Sequence, residues 1–453
     1  MENMKWIVLG LAIVMYALVI AFQNKKVIFT SSAALIIVIL AIIFPGSIYS
    51  LPEEVLAKTN PFSSHFYPIG YALSELIEWN VIMIYLGSMA IAALFIYSKV
   101  PARIADSIVE NTRTTGVAIV AILAMTGIIS IFVENVATVL VMAPIALALC
   151  KKINLNPTYF LIGLAVMSNL EGTATLVGDP PSMIFASFSG YTFNDFFFHA
   201  GRPSIFFIVQ SGMLAGCLFF YFFFAKCGKN KIQIDKEPVI SWVPFILFIL
   251  MIVGLAMISI LKIHFEYASG LFVFALGLIG IIWYRVSQKK TKEETLAVIK
   301  GLDWETIFFL LGIFVVVGAI RDVGLLNDFA HFLASVTGGS KFLGFIVILV
   351  VSILISGFID NVPYIIAMLP VVGEMSTAMN LAAPELFEIA LLIGSCLGGN
   401  LTPFGASANV VSMGILKKEG YPMKFSGWLK VGVPFTIITT AVAAAVLYLI
   451  WAH

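Results

Sequence analysis

Three short motifs occur twice in this chain, in the same order and at a nearly constant separation. Leu76-Ile77-Glu78-Trp79 returns 225 positions later as Gly301-Leu302-Asp303-Trp304, and each tryptophan is followed eight positions on by a glycine, Gly87 and Gly312. Phe132-Val133-Glu134-Asn135-Val136 returns 226 positions later as Phe358-Ile359-Asp360-Asn361-Val362, and each asparagine is followed nine positions on by a proline, Pro144 and Pro370. Gly172 through Gly178 returns 227 positions later as Gly399 through Gly405. Three motifs in register do not arise by chance, so the fold must be built from two copies of one unit. We divide the chain into a first repeat over 1–226, a cytoplasmic linker over 227–239 near the Lys-rich stretch Ala225–Pro238, and a second repeat over 240–453.

The unit is a membrane unit. Hydrophobic residues make up 60% of the chain and charged residues 11%, with a mean hydropathy of +1.04. A soluble domain has about 45–50% and about 25% respectively, so soluble enzymes, nucleic-acid binders and disordered scaffolds are excluded. Runs long enough to cross a bilayer lie at 4–22, 27–45, 79–98, 203–225, 240–261, 267–286, 303–320 and 429–451. Four further apolar stretches are interrupted. Residues 116–133 and 136–150 flank Glu134-Asn135, and 340–359 and 362–373 flank Asp360-Asn361, which predicts two re-entrant helical hairpins near 116–150 and 340–375. Gly178-Asp179-Pro180-Pro181 and Pro403-Phe404-Gly405 break the stretches 157–190 and 385–415, which predicts two broken helices. The segments 101–113 and 322–337 are amphipathic and are expected to lie in the membrane interface. Ile104 and Ile108 share one face of the first, opposite Arg103, Asp106, Glu110 and Arg113; Leu326, Phe329 and Leu333 are similarly spaced in the second. The predicted fold class is therefore all-α and polytopic, with about ten transmembrane helices, two hairpins and two broken helices.

Each repeat holds three spans, a hairpin that returns to its own side, a broken span and a final span. An odd number of crossings inverts the second repeat relative to the first. On this path 20 of the 26 basic residues fall on one side, and only Lys5, Lys58, Arg202, Lys262, Arg321 and Lys341 on the other. The positive-inside rule makes the first side cytoplasmic. The chain is then expected to be a multi-pass protein of the cell (inner) membrane with both termini external. The run 6–22 lacks a small-residue cleavage site and is read as a retained span.

Inverted repeats with broken helices place a transporter's site at the midplane, where half-helix ends meet it. The hairpin tips bring Glu134-Asn135 and Asp360-Asn361 there, and Glu171 and Asp179 flank the first break. Each ionised carboxylate at bilayer depth costs roughly 2.5–3.5 kcal/mol on an insertion scale. No Lys or Arg lies within these apolar segments to offset it, so the site is expected to take up a proton or a metal cation. Plainer roles compete. Asp179-Pro180 makes a good helix start; Asn135 and Asn361 can satisfy freed backbone groups; Thr175 and Thr402 can bond back to their helices; Gly178 and Gly405 are backbone hinges under any function. Glu171 aligns with Gly398 and Asp179 with Ala406, so the second repeat lacks both acids, which suggests that one half binds the coupling ion and the other more of the substrate. Scattered Cys150, Cys217, Cys227 and Cys396 form no CxxC pair, and the five histidines form no HExxH, so neither a zinc site nor a disulfide framework is signalled.

These motifs resemble the ion transporter superfamily that groups arsenite permeases (ArsB), NhaD-type sodium/proton antiporters, divalent anion/sodium symporters and the pigmentation P-protein. The nearest likeness is to the ArsB/P-protein branch. Its first hairpin reads Asp-Asn-Val-Thr-Thr against Glu134-Asn135-Val136-Ala137-Thr138, and its first break reads Gly-Asp-Pro-Pro-Asn against Gly178-Asp179-Pro180-Pro181-Ser182. The second hairpin, Asp-Asn-Ile-Pro, is matched by Asp360-Asn361-Val362-Pro363. The second break matches Cys396 through Asn400 and Gly405 through Val411. In the symporters, neutral Ser-Asn-Thr tips hold sodium and a substrate carboxylate. The acids here argue against simple reuse of that site and favour proton or cation coupling. Glu134 in place of Asp, Glu171 in place of Gly and Ser182 in place of Asn depart from the P-protein pattern.

The resemblance implies a secondary active ion transporter, proton- or sodium-coupled, working by elevator-type alternating access, commonly as a homodimer, and moving a small inorganic or organic anion. A sodium/proton antiporter and a passive ion channel are the alternatives, and no enzymatic activity is expected. The expected ion and substrate ligands are Glu134, Asn135, Val136, Thr138, Glu171, Thr173, Thr175, Gly178, Asp179, Pro180, Ser182, Asp360, Asn361, Val362, Asn400, Thr402, Gly405, Ser407 and Asn409. Sodium is expected near Glu134, Asn135, Asp360 and Asn361. The expected partners are the lipid bilayer and a small ion, with no nucleic acid and no cofactor beyond a coupling Na⁺ or H⁺.

Overall fold

A computed structural model describes residues 2–22, 25–52, 61–225, 227, 237–263 and 265–453. Most of the expected linker over 227–239 lies outside the described residues. The first repeat runs α1 (Glu2–Ala21), α2 (Lys26–Ile43), α3 (Pro61–Tyr71, continued by a π turn to Leu76), α4 (Trp79–Tyr97), α5 (Val100–Asn111), α6 (Thr115–Ser130), α7 (Asn135–Ile153), α8 (Thr158–Gly172), α9 (Pro180–Ser189) and α10 (Ile205–Phe223). The second runs α11 (Val243–Ile260), α12 (Ala268–Val286), α13 (Lys292–Lys300), α14 (Trp304–Asp322), α15 (Leu325–Val336), α16 (Lys341–Ser356), α17 (Asn361–Ala378), α18 (Glu385–Gly398), α19 (Ser407–Lys418) and α20 (Phe425–Trp451). Strand is confined, among the described residues, to one small hairpin, Phe198–His199 on Arg202–Pro203. Among the described residues nine helices are long and apolar enough to cross a membrane: the eight expected spans and α7, the second arm of the first hairpin. The protein is thus a nearly all-helical multi-pass membrane protein with the same element order twice.

Two elements were not legible as such. The helix α3 and the short α13 each sit just before the tryptophan that opens the third span, in equivalent places in the two repeats. Neither carries a long apolar run, and α13 has no buried residue. The amphipathic segments are helices, α5 and α15, and the structure shows which of their faces turns inward. Asp106 is buried and accepts the Glu237 backbone N–H at 2.8 Å, whereas Ile104 points outward. In α15 Leu326 and Ala330 are buried while Phe329 is exposed. At an interface the outward face meets lipid, so the apolar side chains need not turn inward. Both arms begin at a left-handed residue, Lys99 (φ 61) and Gly324 (φ 79), which lie 225 positions apart.

The hairpin tips follow from their acids. Glu134 and Asp360 are extended, which stops the incoming helix, and each carboxylate then caps the next one. Glu134 Oε2 accepts from Ala137 N at 2.9 Å, and Asp360 Oδ1 from Val362 N at 3.3 Å. The breaks follow from glycine. A Cβ on Gly405 would lie 2.5 Å from the Gly399 carbonyl oxygen and 2.9 Å from that of Gly357. A Cβ on Gly178 would meet the equivalent oxygens of Gly172 and Ile131. Thr402 donates to that same Gly357 oxygen, and Thr175 to that of Ile131, so hairpin and break are tied identically in both repeats.

The repeats exchange helices. Gly87 of α4 packs against the backbone of Val273-Phe274 in α12, where an added Cβ would lie 2.6 Å from Phe274 N. Gly312 of α14 packs against Thr30-Ser31 in α2, where a Cβ would lie 2.9 Å from Thr30 C. The scaffold helices α4 and α14 therefore each lie on a partner from the other repeat, while the hairpins, broken helices and final spans pack together as a second group in which α6 lies on α8, α16 on α18, and α10 on α20. Several surface charges are paired. Lys151 pairs with Glu419 at 3.0 Å and Lys99 with Glu237 at 3.8 Å. Elsewhere Lys5 pairs with Asp328 at 2.5 Å, and Arg202 and Lys341 donate to the carbonyls of the C-terminal residues 450–453.

Candidate ion and substrate site

Four helices point their first residues at one cavity. Asn135, Pro180, Asn361 and Ser407 open α7, α9, α17 and α19, and all four line it, as does Val362. Each helix start carries a partial positive charge of about half a unit. Four carboxylates line the same cavity: Glu134, Asp179, Asp303 and Asp360. Its volume is about 30 Å³, room for one or two water-sized occupants. A cavity of about 300 Å³ adjoins it, sharing Lys26, Asp303, Thr306, Asp360 and Ser407 and adding Val136. Its lining also includes Val19, Ile20 and Glu305.

The two breaks meet the cavity differently. Asp179 stands at the start of α9 yet makes no capping bond; it is buried and receives Asn361 Nδ2 at 3.4 Å. Its side chain therefore faces the site. Pro180 and Pro181 bring no N–H, whereas Ser407 and Ala408 present two at the matching end of α19. One end is suited to a cation and the other to an anion.

Lysine is the feature that the sequence concealed. Lys26 Nζ lies 3.4 Å from Asp360 Oδ2, and its ammonium sits 5.3 Å from the centre of the Phe309 ring. The side chains are 14% and 23% exposed. The expectation of acids without a basic partner is corrected here: Lys26 belongs to a scaffold span and reads along the chain as an ordinary flanking charge, but the exchange of helices carries it onto the second hairpin tip. Asp303 was also missed as a site residue. It caps α14 through Thr306 N at 3.0 Å and accepts the Tyr85 hydroxyl at 3.1 Å. The repeated Asp-Trp motif was its only signal.

Glu171 goes elsewhere. It is fully buried behind α6, close to Gly127, where Oε2 accepts Gln210 Nε2 at 2.5 Å and Oε1 has no partner. It does not line the cavity, and the fourth carboxylate there is Asp303. The other expected residues support the site from behind. Thr138 donates to the Val133 carbonyl at 3.2 Å, Thr173 to that of Asn169 at 3.2 Å, and Ser182 to that of Thr173 at 3.3 Å. Thr175, Gly178, Thr402 and Gly405 form the ties already described. Asn400 and Asn409 accept both amide protons of Asn169, at 2.8 and 2.9 Å, and join the two broken helices across the repeats. Asn169, unforeseen, also lines the cavity, with Cys396 in its place in the other repeat. Asn135 accepts from Ser130 at 2.8 Å. Among the described residues no three His, Cys, Asp or Glu side chains converge as a metal-ligand set.

Comparison with known proteins gives one consistent result. A family described as citrate transporters (CitMHS) matches residues 16–394. An uncharacterized transporter of Mycobacterium tuberculosis is 32% identical over 388 residues, covering 84% of this chain and 88% of the relative. A 46 kDa membrane protein of Mycobacterium leprae is 30% identical across 98% of this chain and 99% of its own. The mouse P protein is 25% identical, with 84% of this chain aligned to 55% of that one. In three dimensions the chain is similar to the YdaH transporter of Alcanivorax borkumensis, with a TM-score of 0.63 at 12% identity, over 92% of this chain and 96% of that one. The likeness is one of fold.

Proposed function

The chain belongs to the CitMHS citrate transporter family of membrane transporters, and on that premise we propose that it is a secondary active carrier that moves a small anion together with protons or sodium. The observation that carries this reading is the mixed charge of the cavity: four carboxylates and one lysine around four helix starts. A polycarboxylate such as citrate, the anion in the family's name, would be repelled by Glu134, Asp179, Asp303 and Asp360 unless cations arrived with it. Cations held at those acids would leave the Ser407–Ala408 end of α19 to meet the anion. Glu134 and Asp360 are the coupling carboxylates in this reading, with Asn135, Asn361 and Asp179 beside them. Alternating access by an elevator movement of the hairpin group against the scaffold, a homodimer, and both chain ends outside the cell complete the proposal.

The test is flux in proteoliposomes under imposed pH and sodium gradients, with labelled citrate as the first solute. Glu134→Gln and Asp360→Asn should abolish gradient-driven accumulation. Unchanged flux with an unchanged pH profile in both variants would sink the assignment. Sodium/proton exchange is the second reading, favoured by the small cavity and its excess of acids. The same vesicles without any organic anion separate the two, since an antiporter would still exchange Na⁺ for H⁺.

A further inference from the structure

The site occupies one end of the scaffold helices, and the scaffold has a matching place at the other end. An open cavity of about 580 Å³ lies there, lined by Glu78, Val81, Ile84 and Ser269 among others. Asp303, Thr306 and Phe309 of the site are the repeat equivalents of Glu78, Val81 and Ile84, at the same offset that relates Trp304 to Trp79, so the repeat relation turns one wall into the other. The counterpart of Lys26 follows from the helix pairs. Gly312 packs on Thr30-Ser31 as Gly87 packs on Val273-Phe274, so Thr30 corresponds to Val273. Lys26 stands one turn before Thr30, and Ser269 stands one turn before Val273. The two stations both carry an acid, Asp303 or Glu78. They differ at one wall position, where the ammonium of Lys26 in the first is replaced by the hydroxyl of Ser269 in the second; Lys262 and Glu266, from the segment between α11 and α12, also line the second cavity but are not repeat equivalents of Lys26.

We propose that Lys26 is a counter-ion tethered at one station only, which holds Asp360 in the state described here and competes with the coupling cation for it. This rests on the alternating-access reading above. At the Lys26 station the ammonium takes over the Asp360 carboxylate, so a bound cation is displaced and released on that side. At the opposite station Glu134, the mate of Asp360, meets Ser269 at the position that Lys26 holds at the first, so no tethered ammonium takes its carboxylate there; Lys262 lies on the connecting segment and is not placed as Lys26 is. The pair also fixes the hairpin group in the present position, assisted by the Tyr16 hydroxyl on the Pro363 carbonyl at 3.4 Å. Lys26 is thus a positioning residue that gives direction to an otherwise symmetric path. Its charge is the property that matters.

The experiment uses full-length protein in lipid nanodiscs, where both faces are accessible, with the four native cysteines replaced and Ser269→Cys introduced. A hydrophilic maleimide labels this position in the present state, and docking of the hairpin group at that station covers it. Lys26→Met should slow labelling by about tenfold, a shift of about 1.4 kcal/mol between stations, and Lys26→Arg should keep the parent rate. If Lys26→Met is poorly folded by size-exclusion chromatography, Asp360→Asn breaks the pair from the other side and should slow labelling equally. Sodium chloride in place of choline chloride should slow labelling of the parent and add nothing in Lys26→Met. Equal rates in the parent, Lys26→Met and Asp360→Asn, in a protein that still shows coupled flux, overturn the tethered counter-ion and leave the carrier reading standing. Lys26-dependent labelling in a protein without coupled flux keeps the pair and overturns the carrier.

Discussion

Gly405→Ala adds one methyl group at the point where the second break closes on the second hairpin. The new Cβ would stand 2.5 Å from the Gly399 carbonyl oxygen and 2.9 Å from that of Gly357. Both obstacles are backbone, so no side chain can swing aside. Restoring a tolerable contact of 3.0 Å requires a shift of about 0.5 Å, and overpacking of this kind costs about 1–3 kcal/mol. The displaced Gly357 oxygen is the acceptor for Thr402 and lies just ahead of the Asp360 tip, so the strain is delivered to the cavity. Gly414→Ala is the control, because nothing lies within 4 Å of its Cβ and it sits inside α19, where alanine is favoured by about 1 kcal/mol. Thermal unfolding of purified protein in detergent should place Gly405→Ala several degrees below wild type and Gly414→Ala level with it or above. Proteoliposome flux should fall in the first and hold in the second. Indistinguishable midpoints and fluxes would refute the close-packed break as the element that sets the tip.

Other outcomes follow from the same geometry. Lys99→Gly should raise the thermal midpoint, since a left-handed lysine costs about 1–2 kcal/mol that glycine does not; its exposed pairing with Glu237 offsets little. Asp303→Asn should lower coupled flux about tenfold or more, whereas Glu171→Gln should change it less than about twofold, with flux in vesicles as the readout for both. Cysteines at positions 2 and 452 should be labelled by an impermeant reagent on intact cells, and labelling only after permeabilisation would reverse the orientation. Tyr85→Phe removes the hydroxyl donated to Asp303 and should alter the sodium or proton dependence of flux without lowering the yield of folded protein.

The architecture was legible because its determinants are local. Apolar runs mark spans, Glu134 and Asp360 interrupt them, glycine and proline break them, and the register of three motifs reveals the duplication. What escaped was non-local. Lys26 lies 334 positions from Asp360 along the chain, and only the exchange of helices between repeats joins them. Asp303 was visible as a repeat marker, but its approach to Tyr85 depends on how the scaffold helices α4 and α14 of the two repeats meet. Glu171 failed in the opposite sense. Its place beside the first break suggested the cavity, yet the turn of α8 directs it to Gln210, since neighbours along a helix point about 100° apart. The inward faces of α5 and α15 were not assigned from the sequence, because amphipathic spacing alone does not say which side meets lipid.

The exchange of helices also bears on how the chain is made. The face of α4 that carries Gly87 is completed only by α12, which begins about 170 positions after α4 ends. At about 5–20 residues per second, that face waits roughly 10–35 s for its partner during synthesis. The groove on α2 waits longer still, for α14. The first half of the molecule is therefore inserted as an unfinished assembly, and its mature packing can begin only once the ribosome is well into the second half.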